Sequence, residues 1–265
     1  MDSFYPSLDR LTGILKGLGS AVVACSGGVD STFLLKAVKL SGIRALAVTS
    51  ASPSHPQWDV QTAIEMASAI GIPHKIIKTC ELENPAYREN PPDRCYYCKS
   101  ELFAALTQIA RNEGFCCVID GSTADDLGDF RPGMKAAGEL GVRSPLLEAG
   151  LGKDEIRRLS RELGLGTWDK PSSPCLASRV PYGTPVTEAG LRKLALSEEA
   201  LRALGLREFR VRDHGDVARV EVSQADFDRA LAAKKEIVAA LKGHFRYVCL
   251  DLEGFRSGSL NQGTR

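Results

Sequence analysis

The chain has 265 residues, 43% of them hydrophobic and 25% charged, a balance that is ordinary for a globular protein of one large domain or two unequal ones. Its formal net charge is +1 and its aromatic content is 6%, so no strong positive field favours nucleic acid or an anionic membrane as a partner. No apolar run approaches the length of a membrane span and the N-terminus lacks a signal-peptide core, which predicts a cytoplasmic protein without a membrane partner.

The N-terminal part of the chain predicts a strand, a glycine turn and a helix in direct succession. After a leading helix predicted over 3–18, the apolar run 20–24 is typical of a buried parallel strand. The turn that follows is Cys25-Ser26-Gly27-Gly28-Val29-Asp30-Ser31, and a helix with a buried face comes directly after it. Backbone N–H groups at the positive end of a helix bind anions, so this turn predicts a phosphate site.

The residue types in the turn suit a nucleotide that is bound together with Mg²⁺. Gly27 and Gly28 let the backbone come close to a phosphate, and Ser26 and Ser31 offer hydroxyl donors. Asp30 is unsuited to a bare phosphate but suited to a Mg²⁺ ion that bridges one. The Walker pattern is absent, which disfavours a kinase or GTPase. The alternative is an ordinary strand-to-helix turn with a capping side chain.

Strands and helices continue to alternate as far as residue 163. Strands are predicted at 44–49, 74–78 and 115–120, with a possible short last strand at 143–146. This alternation predicts an α/β fold with a doubly wound parallel sheet. Ligands bind at the carboxyl ends of strands in such sheets, so Thr49, Ser50 and Asp120 are predicted to face the nucleotide. His74 is interpreted as a surface residue at a strand end and is assigned no function.

The pattern changes in the C-terminal third of the chain. A proline-containing stretch at 166–187 is interpreted as an active-site loop or linker. Beyond it, a helix at 188–204, strands at 208–211 and 217–222, a helix at 227–241 and a strand at 247–250 predict a smaller α+β domain. In the second helix, Phe227, Leu231, Val238 and Leu241 are predicted to face inward. We therefore predict a nucleotide-binding domain at 1–165 and a smaller domain at 188–265 that binds substrate or mediates oligomerisation.

The eight cysteines are predicted to be reduced, since no export signal is seen. Cys95 and Cys98 form a C-x-x-C pair at a helix start, which is typical of a redox dithiol or half of a metal site. No second C-x-x-C exists, but Cys175 supplies a third thiol. Three thiolates leave one iron of a 4Fe–4S cluster open to an outside ligand, which suits the handling of sulfide. The alternative is three unrelated thiols.

The turn Ser26-Gly27-Gly28-Val29-Asp30-Ser31 resembles the PP-loop of the ATP α-hydrolase superfamily. Members grip the β,γ-pyrophosphate of ATP and adenylate an acyl or carbonyl oxygen. A narrower resemblance rests on the segments 129–133, 172–184 and 250–258 together with this loop, and it points to the LarE family. The resemblance implies an ATP-dependent sulfur transferase that adenylates a carboxylate of pyridinium-3,5-biscarboxylic acid mononucleotide. Sulfur held at Cys175 then displaces AMP, in the biosynthesis of the nickel-pincer nucleotide cofactor.

The chain departs from the best-known members of this family, which carry one cysteine and sacrifice its sulfur. Cys95 and Cys98 match a three-cysteine branch that resembles cluster-containing sulfur transferases. The resemblance therefore implies ATP, Mg²⁺ and a 4Fe–4S cluster held by Cys95, Cys98 and Cys175. It also implies an external sulfide or other sulfur donor, and we expect a homo-oligomer.

Basic side chains in the same motifs suit a substrate that carries a phosphate and carboxylates, because guanidinium groups bind both at two points. The predicted substrate contacts are Arg179, Arg210, Arg212 and Arg256, and the acidic residues Glu198 and Glu221 align with acidic positions of the family's site. Arg210 and Arg212 share one face of a predicted strand. The alternative is a solvated strand face.

Three other functions are compatible with parts of this pattern. A tRNA thiolation enzyme of the same superfamily also combines the loop, a C-x-x-C pair and a further cysteine, but the charge of +1 disfavours nucleic acid. An amidotransferase or NAD synthetase shares the loop but needs no cysteines at these places. A non-enzymatic iron–sulfur or zinc carrier would use ATP only as a switch.

Overall fold

The computed structural model of the protein describes residues 5–128 and 131–256. These residues form two compact units, one drawn from Met1–Glu81 and Asp93–Ser173 and the other from Leu82–Pro92 and Pro174–Arg265. Leu82–Pro92 thus groups with the C-terminal part of the chain, whereas the sequence-based division placed it in the first domain. Several predicted features fall outside the described residues, namely positions 3 and 4 of the leading helix, Asp129 and Phe130, and residues 257 and 258.

The first unit contains alternating helices and strands. They are α1 (Pro6–Leu18), β1 (Ser20–Ala24), α2 (Val29–Ser41), β2 (Arg44–Ala51), α3 (Gln57–Ile70) and β3 (His74–Lys78). The short α4 (Pro85–Arg88) lies in the second unit, and the first unit resumes with α5 (Arg94–Glu113), β4 (Cys117–Ile119), α6 (Pro132–Glu139), α7 (Pro145–Glu148) and α8 (Lys153–Glu162).

The four strands of this unit form one parallel sheet in the order β3-β2-β1-β4. Successive residues of β1 point to opposite faces, so Val22 joins a core that includes Phe103 and Leu106 of α5. Its neighbours Ala21 and Val23 join the other core, which includes side chains of α1, α2 and α8. Helices therefore cover both faces, and the predicted α/β fold with a doubly wound parallel sheet is confirmed.

The predicted short strand at 143–146 is not formed. Arg143 makes a single parallel bridge with Ile119, and the chain then enters α7 with Pro145 in its first turn. Proline has no N–H to give to a sheet and its fixed φ suits the first helical position, so the chain turns into a helix here.

The second unit contains a separate three-stranded sheet. After α9 (Glu188–Ala203), β5 (Phe209–His214) pairs antiparallel with β6 (Val217–Val222), which pairs parallel with β7 (Tyr247–Leu250). The helices before β7 are α10 (Phe227–Ala232) and α11 (Lys234–Leu241). The predicted α+β character of this part is confirmed.

The single helix predicted at 227–241 is broken at Ala233, whose φ of −90° and ψ of 20° are not helical. The break changes the phase of the pattern, so Leu231 and Val238 are 51% and 39% exposed. Ala230, Ile237 and Leu241 are the buried residues of the pair of helices. The predicted inward faces of Leu231 and Val238 were therefore wrong.

In the part of the chain that the structure describes, no helix has the length and apolar character needed to cross a membrane.

Candidate active site

The glycine turn between β1 and α2 is shaped by its packing against α3. Gly27 has a φ of +70°, a conformation that glycine adopts without a steric cost. A Cβ atom placed on Gly27 would lie 2.3 Å from the carbonyl oxygen of Asp59 and 2.9 Å from the backbone nitrogen of Ala63. Gly28, the residue before α2, is extended and less crowded. Gly27 is therefore required by the fold, and Gly28 leaves room in front of the helix.

Hydroxyl groups organise the same turn. Ser26 Oγ lies 3.1 Å from Ser31 Oγ, and the backbone N–H of Ser26 donates to Ser31 Oγ over 3.2 Å. The N–H of Gly28 faces Ser26 Oγ at 3.4 Å. The first N–H groups of α2 have no partner within the helix, so the turn presents a cluster of donors at a positive helix end. This arrangement can bind a phosphate group.

Asp30 lies in the first turn of α2 and is partly buried. Burial raises the pKa of its carboxyl group, and the nearby carboxylates of Asp126 and Asp125 raise it further. Lys153 and Arg157 act in the opposite direction and lower this pKa. A carboxylate in these surroundings would be stabilised by a cation, so the chemistry of Asp30 fits a Mg²⁺ ligand.

The residues predicted at the carboxyl edge of the sheet lie there, but their side chains are engaged in hydrogen bonds within the protein. Thr49 Oγ1 donates to the carbonyl oxygen of Cys25 over 2.7 Å, and Ser50 Oγ lies 2.5 Å from Thr79 Oγ1. The carboxylate of Asp120 accepts hydrogen bonds from Ser122 Oγ over 2.8 Å and from Ser144 Oγ over 2.7 Å. Their contact with a nucleotide stays a prediction.

His74 was expected to be a surface residue at a strand end, but it is partly buried. Its Nε2 atom is 2.8 Å from Thr49 Oγ1, so the ring connects β3 to the buried hydroxyl of β2. Burial lowers the pKa of His74, which favours the neutral ring at this position.

Lys170 is a residue of the site that sequence reasoning missed. Its ammonium group donates to the carbonyl oxygen of Gly27 over 2.8 Å and lies 2.8 Å from Asp59 Oδ1. Ser173 Oγ donates to the other oxygen of Asp59 over 2.6 Å. The segment that precedes Cys175 is thus attached to the glycine turn and to α3. No local pattern around Lys170 predicts this contact, because its partners lie more than a hundred residues away in the sequence.

The three cysteines assigned to a cluster lie in different units. Cys95 and Cys98 are three residues apart near the start of α5, on one side of the helix. Cys95 is exposed and Cys98 is partly buried. Cys175 belongs to the second unit, is partly buried and precedes a 3₁₀ turn at Leu176–Arg179. The first two thiols are chemically suited to half of an iron–sulfur site. Among the described residues, no three His, Cys, Asp or Glu side chains are grouped to hold one metal ion.

The second unit contains a buried group of charged side chains. Arg179 and Glu198 are each 1% exposed and pair through two hydrogen bonds of 2.8 Å. Arg212 donates to Glu221 Oε2 over 2.8 Å and to the carbonyl oxygen of Ser178 over 2.7 Å. Glu221 also accepts from Arg219 over 2.9 Å.

Arg210 and Arg212 are buried, with 6% and 5% exposure, so the alternative of a solvated strand face is wrong. Burial and the neighbouring charges of Arg179 and Arg212, partly offset by Glu198, lower the pKa of Arg210 to about 10. Its guanidinium carbon lies 4.7 Å from the centre of the Phe255 ring. Three arginines close together would be stabilised by an anion. Arg256, by contrast, is exposed and pairs with Glu253.

Comparison with known proteins reveals relatives along nearly the whole chain. An uncharacterized protein of Synechocystis is 43% identical over 259 residues, covering 96% of this chain and 97% of that protein. The pyridinium-3,5-bisthiocarboxylic acid mononucleotide synthase of Lactiplantibacillus plantarum is 38% identical over 254 residues, covering 95% of this chain and 92% of that protein. A probable tRNA sulfurtransferase of Methanobrevibacter smithii is 24% identical over 218 residues, 77% of this chain and 56% of that protein. No protein-family model matches the chain.

Proposed function

This chain belongs to the LarE family of ATP-dependent sulfur transferases, and on that basis we propose that it converts pyridinium-3,5-biscarboxylic acid mononucleotide to its thiocarboxylate in nickel-pincer nucleotide biosynthesis. The observation that carries the proposal is the relationship to the Lactiplantibacillus synthase, which extends over nearly the full length of both proteins. The tRNA sulfurtransferases are distant relatives, and the chain covers little more than half of the one from Methanobrevibacter.

In the first unit, we assign the pyrophosphate of ATP to the turn between β1 and α2. Ser26, Gly27, Gly28 and Ser31 would bind its phosphate oxygens through backbone N–H groups and hydroxyls, and Asp30 would hold Mg²⁺. A carboxylate oxygen of the substrate attacks the α-phosphorus, pyrophosphate leaves, and an acyl adenylate results. Thr49, Ser50 and Asp120 are proposed to shape the nucleotide site from the edge of the sheet.

In the second unit, the excess of buried positive charge is proposed to bind the anionic substrate. Arg210 and Arg212 would contact its phosphate or carboxylate groups, with Glu221 holding Arg212 in place. The exposed Arg256 is proposed to complete this site. The lowered pKa of Arg210 supports this assignment, because a bound anion would offset the cost of burying its charge.

Cys175 is proposed as the residue through which sulfur reaches the adenylated carboxylate and displaces AMP. Cys95, Cys98 and Cys175 would be the ligands of a 4Fe–4S cluster, for which thiolates are the fitting donors. When bound, such a cluster would supply an open iron that holds an added sulfide. A homo-oligomer is also proposed, and light scattering after size-exclusion chromatography tests it.

The function is tested by incubating the anaerobically purified protein with ATP, Mg²⁺, sulfide and the mononucleotide. We expect AMP, pyrophosphate and a thiocarboxylate product that mass spectrometry identifies. Asp30→Ala should abolish pyrophosphate release without unfolding the protein, since Asp30 is not a core residue. Sulfur incorporation into unmodified tRNA, with none into the mononucleotide, would overturn the proposal.

The cluster is tested separately by iron and sulfide analysis under anaerobic conditions. Replacing Cys95, Cys98 or Cys175 by Ala should abolish both iron binding and sulfur transfer. Cys80→Ala and Cys249→Ala are matched controls on exposed cysteines and should change neither. Dehydroalanine at position 175 after one turnover, with Cys95 and Cys98 dispensable, would instead identify Cys175 as the sulfur donor itself.

A further inference from the structure

Arg179 is the largest of the fully buried side chains among the described residues. A buried guanidinium is costly unless its N–H groups all find acceptors, so the partners of Arg179 indicate what this residue does. It lies four residues after Cys175, at the end of the 3₁₀ turn Leu176–Arg179.

One side of the Arg179 guanidinium holds the backbone around Cys175. Its Nη1 atom donates to the carbonyl oxygen of Pro174 over 2.8 Å, to that of Cys175 over 3.3 Å and to Ser178 Oγ over 2.8 Å. The carbonyl of Cys175 also accepts from the N–H of Ser178 over 3.0 Å. The backbone on both sides of the Cys175 Cα atom is therefore attached to one rigid, planar group.

The other side of the guanidinium is held by Glu198 of α9. Nε and Nη2 donate to the two carboxylate oxygens over 2.8 Å each, in a two-point pair. Glu198 Oε1 also accepts from the backbone N–H of Val211 in β5 over 3.0 Å. The turn that carries Cys175 is thus connected through two buried side chains to the helix and the sheet of its own unit.

This geometry does not favour direct contact of Arg179 and Glu198 with the substrate, which the sequence had suggested. Each side chain is 1% exposed, and both oxygens of Glu198 are already engaged. A buried ion pair contributes little to stability compared with apolar side chains of the same volume. Apolar side chains, however, could not hold the two carbonyl groups next to Cys175.

We propose that Arg179 and Glu198 are positioning residues for Cys175, fixing the backbone that carries its thiol. The inference rests on the proposed role of Cys175 in sulfur transfer. Arg179 acts through the carbonyls of Pro174 and Cys175, and Glu198 acts by orienting Arg179.

Arg179→Lys is the informative variant, because it keeps the charge but loses the planar set of donors. Misplacement of a reacting group by about 1 Å costs on the order of 100-fold in rate, so we expect kcat for sulfur transfer to fall by about 10-fold or more. KM for the mononucleotide should stay unchanged, since Arg179 does not touch it. Glu198→Gln should give the same pattern more weakly. Arg192→Lys, at an exposed position of α9, is the matched control and should have no effect.

A second measurement does not depend on the substrate. The rate at which iodoacetamide alkylates Cys175 is followed by peptide mass spectrometry in the folded protein without bound iron, with the exposed Cys249 as internal reference. In Arg179→Lys the Cys175 rate should rise by about threefold or more, because a loosened turn exposes the thiol more often, while the Cys249 rate stays constant.

The two measurements separate the possible failures. A raised KM with an unchanged alkylation rate would show that Arg179 binds substrate and would overturn the positioning role. An unchanged kcat with an unchanged alkylation rate would also overturn it. If the wild-type protein transfers no sulfur to the mononucleotide, the proposed function fails, whereas the alkylation result still decides whether Arg179 holds Cys175. A melting curve establishes that each variant is folded, and Glu198→Gln decides the question if Arg179→Lys does not fold.

Discussion

Replacing Gly27 by Ala tests whether the glycine turn is built as described. At a φ of +70° an L-residue loses about 1–2 kcal/mol relative to glycine. The added methyl group would also lie 2.3 Å from the carbonyl oxygen of Asp59 and 2.9 Å from the nitrogen of Ala63, both backbone atoms of α3. Forcing such an overlap into a packed region costs about 1–3 kcal/mol more. The free energy of unfolding of the first unit should therefore fall by about 2–5 kcal/mol.

The measurement is urea-induced unfolding followed by tryptophan fluorescence. The two tryptophans, Trp58 and Trp168, both belong to the first unit, so the signal reports on that unit alone. Gly28→Ala is the matched control in the same turn, because Gly28 is extended at a φ of −82° and its added methyl would meet only Ser26 Oγ at 3.4 Å. Gly28→Ala should change stability by less than about 1 kcal/mol. It should still weaken ATP binding, measured by calorimetry, if the backbone approaches the phosphates there.

A Gly27→Ala protein as stable as the Gly28→Ala protein would refute this reasoning. It would mean that the turn does not rest against α3 and that Gly27 is free to change its backbone conformation.

Three further predictions concern other parts of the chain. Lys170→Met leaves Asp59 without its cation and should lower the free energy of unfolding by about 1–3 kcal/mol, measured by urea unfolding and tryptophan fluorescence. An unchanged urea midpoint would mean that the ion pair is not formed in solution. Because the pKa of His74 is lowered in the folded state, the unfolded chain binds the proton first as the pH falls. The stability that the neutral His74 contributes is therefore present above about pH 6.5 and is lost as the pH falls towards the folded-state pKa. His74→Gln should therefore flatten the fall in unfolding free energy between about pH 7.5 and 5.5, and an unaltered slope would contradict this. Asn90 is buried, and its side-chain amide donates to the carbonyls of Pro181 over 2.8 Å and Thr184 over 3.0 Å. Asn90→Asp should therefore destabilise the second unit by about 3 kcal/mol, measured by circular dichroism melts. Asn90→Gly relieves a φ of 56° and should lose less stability, and the reverse order would disprove the role of the amide donors.

Local patterns determined much of what the sequence could predict. The strand 20–24, the glycine turn and the helix that starts at Val29 are close in the chain, so short-range patterns were sufficient to predict them. The alternation of strands and helices was sufficient for the parallel sheet, since each parallel pair needs a helix to connect it. The pair Cys95 and Cys98 at a helix start was found by spacing alone.

Periodicity, however, shows which residues share a face and not whether that face is buried or what packs against it. Arg210 and Arg212 were placed on one strand face, but whether that face is solvated or buried depends on the elements that pack on it. The break at Ala233 is a single residue between two helical patterns of the same character, so the sequence predicted one continuous helix. The position of Leu82–Pro92 in the second unit depends on Asn90, whose hydrogen bonds reach residues about ninety positions later.

The sequence by itself determined the α/β fold, the glycine turn between strand and helix, and the set of residues from which a site could be built. Only the tertiary structure decided how those residues are used. Lys170 meets Gly27 across 143 positions of the chain, and Arg179 meets Glu198 of another element, because packing brings donors and acceptors together that no local pattern relates. The effect of these contacts depends on burial. On an exposed surface the Arg179 and Glu198 pair would contribute little, whereas in the interior every N–H group must be satisfied, and this directs Arg179 onto the backbone of Cys175.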